Sequence, residues 1–171
     1  MTDLRSFVRD VPDFPEPGIL FRDITPLLAS PLAFQLAIQE MAKPFREMRI
    51  QKILGIEARG FMFGAAIARE LSVGFVPMRK PGKLPRETLK VSYGLEYGKD
   101  SLEIHKDALE PGERVVIADD VLATGGTAEA AVRLVGQLNA RVEGLSFLIE
   151  LSALAGRVRL TDRRVHAVLL L

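Results

Sequence analysis

Val115-Val116-Ile117-Ala118-Asp119-Asp120-Val121-Leu122-Ala123-Thr124-Gly125-Gly126-Thr127 is the stretch on which both fold and chemistry turn. Arg114 to Ala118 reads as a buried strand, and it delivers two consecutive carboxylates. A turn of small residues then opens into a helix whose apolar stripe is Ala128, Ala131, Leu134, Val135 and Leu138. Gly125 and Gly126 let the backbone approach an anion closely, and a helix start offers N–H groups without intrahelical acceptors. Thr124 and Thr127 add hydroxyl donors, so the turn suits a phosphate monoester. No Gly-Lys-[Ser/Thr] follows and no Gly-x-Gly-x-x-Gly is present, which sets the segment apart from nucleotide loops of those two kinds. Ionised Asp119 and Asp120 accept hydrogen bonds and a vicinal diol donates them. An acidic pair beside a phosphate cradle therefore fits a ribose 5′-phosphate better than it fits a surface Asp pair before a capped helix.

Outward from this segment the chain alternates strand and helix. Lys52 to Ile56 is a short buried strand, Phe61 to Leu71 a helix of small residues, and Val73 to Met78 a second strand. Val142 to Ile149 and Val165 to Leu171 are further apolar runs of strand length. That order predicts an α/β domain with a mainly parallel sheet flanked by helices, and ligands at the carboxyl ends of its strands. The loops after Ile56 and Ala118 are the expected sites of chemistry. Earlier in the chain, Asp3 to Asp10 reads as a short helix ended by Pro12, Pro15 and Pro17. Ser30 reads as an N-cap with Pro31 at the first helical position, before Phe34, Ala37, Ile38 and Met41 at helical spacing; Pro44 should kink or shorten that helix. Val91, Tyr93, Leu95 and Tyr97 alternate with polar neighbours and are followed by Leu102 and Ile104, a hairpin pattern with one apolar face. The preceding Arg79-Lys80-Pro81-Gly82-Lys83-Leu84-Pro85-Arg86 is too polar and broken for core and reads as a mobile excursion.

Bulk properties bound the reading. A chain of 171 residues suits one domain, and 48% hydrophobic with 26% charged residues is a globular balance. With 23 Lys+Arg against 22 Asp+Glu, general nucleic-acid binding is not expected. Cysteine is absent, so disulfides and thiolate metal sites are excluded. The N-terminal MTDLRSFVRD is charged where a secretion signal needs an apolar run, and no apolar run approaches the ~20 residues of a membrane span. A soluble cytoplasmic protein without membrane contact is the expectation.

The acidic and Gly-rich segment resembles the phosphoribosyl pyrophosphate signature of the type I phosphoribosyltransferases. Three more stretches resemble their adenine-specific branch: Phe14 to Pro26, Gly55-Ile56-Glu57-Ala58-Arg59-Gly60-Phe61, and Arg79 to Pro85 continuing through Ser92 to Gly98. The likeness spans nearly the whole chain in the expected order. It implies the type I fold, with a small N-terminal hood over the base site (about residues 1–30) and a flexible lid hairpin (about residues 79–104). It also implies transfer of the phosphoribosyl group to adenine in purine salvage, magnesium carried mainly by the substrate with no direct protein ligand, and a homodimer. By resemblance, Ala123, Thr124, Gly125, Gly126 and Thr127 hold the 5′-phosphate, and Asp119 and Asp120 the ribose hydroxyls. Ala58 and Arg59 belong to a pyrophosphate loop that in the family often carries a non-proline cis peptide. Lys80 touches pyrophosphate; for Lys83 and Arg86 a solvated charged face explains the residues equally well. Glu96 is implied as the acid/base group near the purine. Leu20, Phe21 and Arg22 resemble the adenine site, with Val121 under the other face of the base, although on sequence alone Phe21 reads as core. His105 and His166 have no partner motif and read as structural. The rivals are a transferase for another base and a non-catalytic sensor of phosphoribosyl pyrophosphate; the segment Phe14 to Pro26 argues against the first, balanced charge and Glu96 against the second.

Overall fold

The computed structural model describes residues 3–94 and 99–171, the Lys99 side chain excepted. Its centre is a parallel sheet of β3 (Lys52–Ile56), β4 (Gly74–Met78), β7 (Arg114–Leu122), β8 (Arg141–Glu150) and β9 (Val165–Leu170), in the order β4-β3-β7-β8-β9. The inner strands β3, β7 and β8 are almost continuously apolar because both faces of the sheet are covered. Successive side chains go to opposite faces, so Ile53, Val116 and Leu148 join one core while Leu54, Ile117 and Phe147 join the other.

Helices α2 (Pro31–Ala42) and α3 (Gly60–Leu71) pack on the first face through Met41, Ala37, Phe63 and Ile67. Ser30 caps α2 as its sequence predicts, its Oγ accepting from Ala33 N–H at 3.3 Å. Beyond Ala42 the helix tightens into a 3-10 turn, Lys43–Phe45, around Pro44. The short α1 (Thr25–Ala29) precedes it. On the second face lie α4 (Gly126–Gln137) and an antiparallel hairpin, β5 (Thr88–Gly94) with β6 (Lys99–His105). Val91, Tyr93, Leu102 and Ile104 of the hairpin are buried against α4 and the sheet, so the body of the 79–104 segment is core rather than a free-standing flap. Leu95, Glu96 and Tyr97 lie outside the described residues.

The N-terminal segment departs most from its sequence reading. Only Leu4–Phe7 is helical, as a 3-10 turn; Arg9–Pro12 is extended as β1 and pairs antiparallel with β2 (Leu20–Asp23). The connection turns at a cis Phe14–Pro15 bond and at Gly18, φ +88°. This small ribbon sits at the carboxyl end of the main sheet, beside the candidate site. Among the described residues, no helix is long and apolar enough to cross a membrane.

Candidate functional site

Strand β7 runs four residues past its apolar core, to Leu122. Asp119 and Asp120 therefore belong to the end of a strand rather than to a loop, and the main chain on either side of Asp120, at Asp119 and Val121, is paired with β8. The turn proper is Ala123, Thr124 and Gly125. Gly125 takes φ +84°, a left-handed conformation that any side chain would strain, and so reverses the chain into α4 without a side-chain cap. The first backbone bond of the helix is Glu129 N–H to Gly125 O, 2.9 Å, which leaves the first-turn amides of residues 126–128 without intrahelical acceptors. Residues 121–128 with Asp119 and Phe147 line a small cavity of about 70 Å³. Its amide dipoles and the Thr124 and Thr127 hydroxyls make it a candidate anion seat, with no protein cation among its lining residues.

A second, larger cleft of about 340 Å³ adjoins it, and the two share Asp119, Val121 and Ala123. Leu20, Phe21 and Arg22 from β2 form one wall, Arg59 and Asp120 the back, Val121 and Leu151 the other side. Phe21 is half-buried, its ring edge-on to Phe14 with centroids 5.1 Å apart. It is a wall of the cleft and not core, because β2 belongs to the ribbon and not to the central sheet. Leu20 is 47% exposed, a large apolar side chain left for a ligand to cover. Arg22 is tied to Asp10 of β1, which also binds Arg5 at 2.8 Å; these pairs fix the ribbon and hold the Asp10 carboxyl below its ordinary range.

Arg59 connects the two halves of the site. It follows β3 across a cis Glu57–Ala58 bond, and its Nε lies 2.7 Å from Asp120 Oδ2 while its guanidinium sits 5.1 Å over the Phe21 ring. The contact to Asp120 is an ion pair without hydrogen-bond alignment, so Oδ2 is buried with no hydrogen-bond donor among the described residues. Ala58 is exposed beside it. Burial and the adjacent Asp120 charge push the Asp119 carboxyl well above the ordinary carboxylate range; the Asp120 amide and Arg59 only partly oppose this. An incoming donor or cation would relieve that cost.

Sequence reasoning missed the residue that organises the basic segment. Glu57, its side chain 9% exposed, accepts from Lys83 Nζ at 2.5 Å, from the Lys80 amide at 2.9 Å and from Arg79 Nε at 3.3 Å. Burial pushes the Glu57 carboxyl up, but these donors outweigh it and hold it below its usual value. A glutamate between a strand and Ala-Arg-Gly looked like part of a loop; only the fold brings residues 79–83 to it. Lys80 Nζ is bound by Asp100 and by Tyr93 Oη at 3.1 Å, so it faces the hairpin and does not line either cavity in this state. The Asp100 and Tyr93 bonds raise Lys80 above its usual value despite partial burial. Arg86 pairs with Asp107 on the surface, away from the site. His166 contacts the Glu40 carbonyl at 3.0 Å and serves packing. Glu96 lies outside the described residues, although β5 ends beside the anion seat: a Cβ on Gly126 would stand 3.3 Å from Gly94 O.

The adjoining cavities thus place a small turn-lined hollow and a larger, mainly apolar cleft on either side of Asp119, Val121 and Ala123, which line both. Residues 25–166 match the phosphoribosyl transferase domain family. The adenine phosphoribosyltransferase of Carboxydothermus hydrogenoformans is 57% identical over 163 residues, 95% of this chain and 96% of that protein. The chain belongs to the adenine phosphoribosyltransferases. The crystal structure of the Rhodothermus marinus adenine phosphoribosyltransferase, 56% identical, superposes with a TM-score of 0.94 over 98% of this chain and 96% of that one. The Saccharomyces cerevisiae adenine phosphoribosyltransferase, 44% identical with a TM-score of 0.91 and 96% coverage of both chains, was crystallised with an imino-altritol bisphosphate and adenine. The five-stranded parallel sheet with flanking helices is thus the type I phosphoribosyltransferase fold.

Proposed function

We propose that the chain transfers the 5-phosphoribosyl group of phosphoribosyl pyrophosphate to adenine, giving AMP and pyrophosphate in purine salvage. The observation that carries this reading is the continuity of the two cavities, with Asp119 lining both. The 5′-phosphate takes the amides of Ala123 to Thr127. The Asp119 and Asp120 carboxylates accept from the ribose hydroxyls. Adenine enters the slot between Phe21 and Val121, and the main chain of Leu20 to Arg22 reads its edge.

The reaction breaks the anomeric C1–O bond to pyrophosphate and forms a bond from C1 to adenine N9. Positive charge develops on the ribose ring, as in glycoside transfer, and negative charge on the leaving pyrophosphate. Arg59 presents Nη donors beside the ribose carboxylates, and its fork matches phosphate oxygens. Ala58, at the same turn, lends its exposed main chain. Lys80 would exchange Asp100 for pyrophosphate. Glu96 handles the proton on the purine. Because the hairpin body is anchored by Val91, Tyr93, Leu102 and Ile104, lid closure would draw on residues 80–86.

Magnesium belongs to this proposal. Among the described residues no three carboxylates or histidines gather into a metal cage. Asp120, buried with a hydrogen-bond-free Oδ2, is a hard oxygen donor that fits the hydrated side of a magnesium ion arriving on the substrate. The ion would neutralise pyrophosphate charge. A homodimer is part of the reading; exposed Leu32 and Met62 on α2 and α3 supply apolar surface on the helical flank. So is a cytoplasmic location, with which the cysteine-free sequence is compatible.

Incubating the purified protein with magnesium, phosphoribosyl pyrophosphate and each of adenine, hypoxanthine, guanine, xanthine and orotate tests the reading. AMP and pyrophosphate should form with adenine. Turnover with another base in preference to adenine overturns the base assignment, and no turnover with any base overturns the activity.

A further inference from the structure

The segment between β8 and β9 gives Leu151 to the larger cleft, and a second of its residues, Gly156, packs against the turn of the anion seat. Leu151 leaves β8, Ser152–Leu154 makes a 3-10 turn, and Ala155 takes φ +49° before a second 3-10 turn, Gly156–Leu160. Gly156 is buried, and its backbone packs directly on that of the Ala123–Gly125 turn. A Cβ there would fall far inside contact with Ala123 O, 3.0 Å from the Ala123 carbonyl carbon and 2.9 Å from Gly125 N. The approach is reciprocal: a Cβ on Gly125 would collide with Gly156 O and lie 3.1 Å from its carbonyl carbon. These neighbours are backbone atoms of a turn held at both ends by β7 and α4, so no flexible side-chain tip can move aside.

Arg157 holds the Gly156 turn in place. Its Nε donates to Glu150 Oε1 at 3.0 Å, its Nη2 binds Glu150 Oε2, and its Nη1 donates to Val165 O at 2.8 Å. The guanidinium thereby ties the Gly156 turn to the carboxyl end of β8 and the start of β9. Glu150 is itself buried to 7% exposure at the end of β8.

We propose that Gly156, held by Arg157, is a positioning residue: its bare backbone seats the Ala123–Gly125 turn at the height from which the amides of residues 123–127 reach a 5′-phosphate. The inference rests on the functional reading above. A methyl at residue 156 must lift the turn or tilt its amides, and hydrogen bonds to a charged acceptor lose most of their strength when misaligned. The defect is local. Arg59 and the pyrophosphate side belong to β3 and α3, on the other side of Asp119 and Asp120.

The test is calorimetric titration of wild type, Gly156→Ala, Arg157→Gln and the control Gly136→Ala with AMP, and separately with magnesium pyrophosphate. Gly136 lies in α4 with nothing within 4 Å of its would-be Cβ. Gly156→Ala should weaken AMP about 10- to 100-fold, the loss of one or more hydrogen bonds to a charged group, and leave pyrophosphate within about twofold. In steady state the same variant should raise the KM for phosphoribosyl pyrophosphate without raising that for adenine. Arg157→Gln should show the same selectivity at a few-fold, and Gly136→Ala neither effect. AMP affinity retained in a folded Gly156→Ala, or equal losses for AMP and pyrophosphate, overturns the proposal. If Gly156→Ala shows no thermal transition, Arg157→Gln decides: AMP-selective weakening supports the positioning role, and unchanged or uniform weakening overturns it. Wild-type protein that binds neither ligand would instead sink the functional reading itself.

Discussion

Phe21→Ala separates a wall of the base site from a piece of scaffold. The ring makes two contacts that can be priced: an edge-on pair with Phe14 at 5.1 Å and 72°, and the Arg59 guanidinium 5.1 Å over its face. An aromatic pair contributes about 0.5–1.5 kcal/mol and an exposed cation–π contact about 0.5–1 kcal/mol, so the variant should lose about 1–2.5 kcal/mol of stability. Stacking of a base on an aromatic ring is worth about 1–3 kcal/mol, which at 25 °C is about 5- to 150-fold in the KM for adenine. The KM for phosphoribosyl pyrophosphate should move by less than about threefold, since Arg59 keeps Asp120 as its partner and the anion seat is untouched. Initial rates with each substrate varied at saturation of the other, alongside thermal melts, read all three quantities. Phe21→Leu, which keeps apolar cover without a π face, should fall between. A destabilised Phe21→Ala whose adenine KM stays at the wild-type value would show that the ring only supports the ribbon, and the placement of the base would be wrong.

Asp119→Asn should weaken phosphoribosyl pyrophosphate binding and, at neutral pH, raise the melting temperature. The folded Asp119 carboxyl holds its proton to higher pH than the unfolded one, through burial and the Asp120 charge, so its contribution to stability falls as pH rises above the ordinary carboxyl range near 3.8; melts that drop as steeply with pH in the variant as in wild type would contradict this. Gly125→Ala combines a left-handed backbone, a cost of about 1–2 kcal/mol, with a collision on Gly156. Calorimetry should find AMP binding lost by at least tenfold, about one hydrogen bond to a charged group, and undiminished affinity would refute the seat. Glu96→Ala should cut kcat by about 10² to 10⁴, the usual loss for a general acid or base; near-wild-type turnover removes Glu96 from the chemistry.

The central sheet was legible because buried parallel strands are written as uninterrupted apolar runs. Lys52–Ile56 has the same bounds in sequence and structure. Strand β7 was read four residues short, since Asp119 and Asp120 break the apolar pattern while the ladder with β8 carries on beneath them. The N-terminal ribbon was illegible for a different reason. Arg9–Pro12 and Leu20–Asp23 have neither an apolar run nor a clean alternation, and what pairs them is a turn through Pro15 and Gly18. The same ribbon explains why Phe21, an ordinary core residue by type, becomes a cleft wall. In the site, Asp119, Asp120 and the turn to Thr127 could be read from local spacing, because one strand–turn–helix unit holds them all. Glu57 and Gly156 could not, since their partners are brought to them by the fold: Lys80 and Lys83 in one case, Ala123 and Gly125 in the other.

Everything rests on the seat from Asp119 to Thr127 holding a sugar phosphate, and a crystal structure of the AMP complex tests it most directly. The phosphate should lie on the amides of residues 123–127 and the ribose hydroxyls within about 2.7–3.2 Å of the Asp119 or Asp120 carboxylates, with adenine against Phe21. AMP bound elsewhere, or bound here with both carboxylates turned from the ribose, would contradict the account.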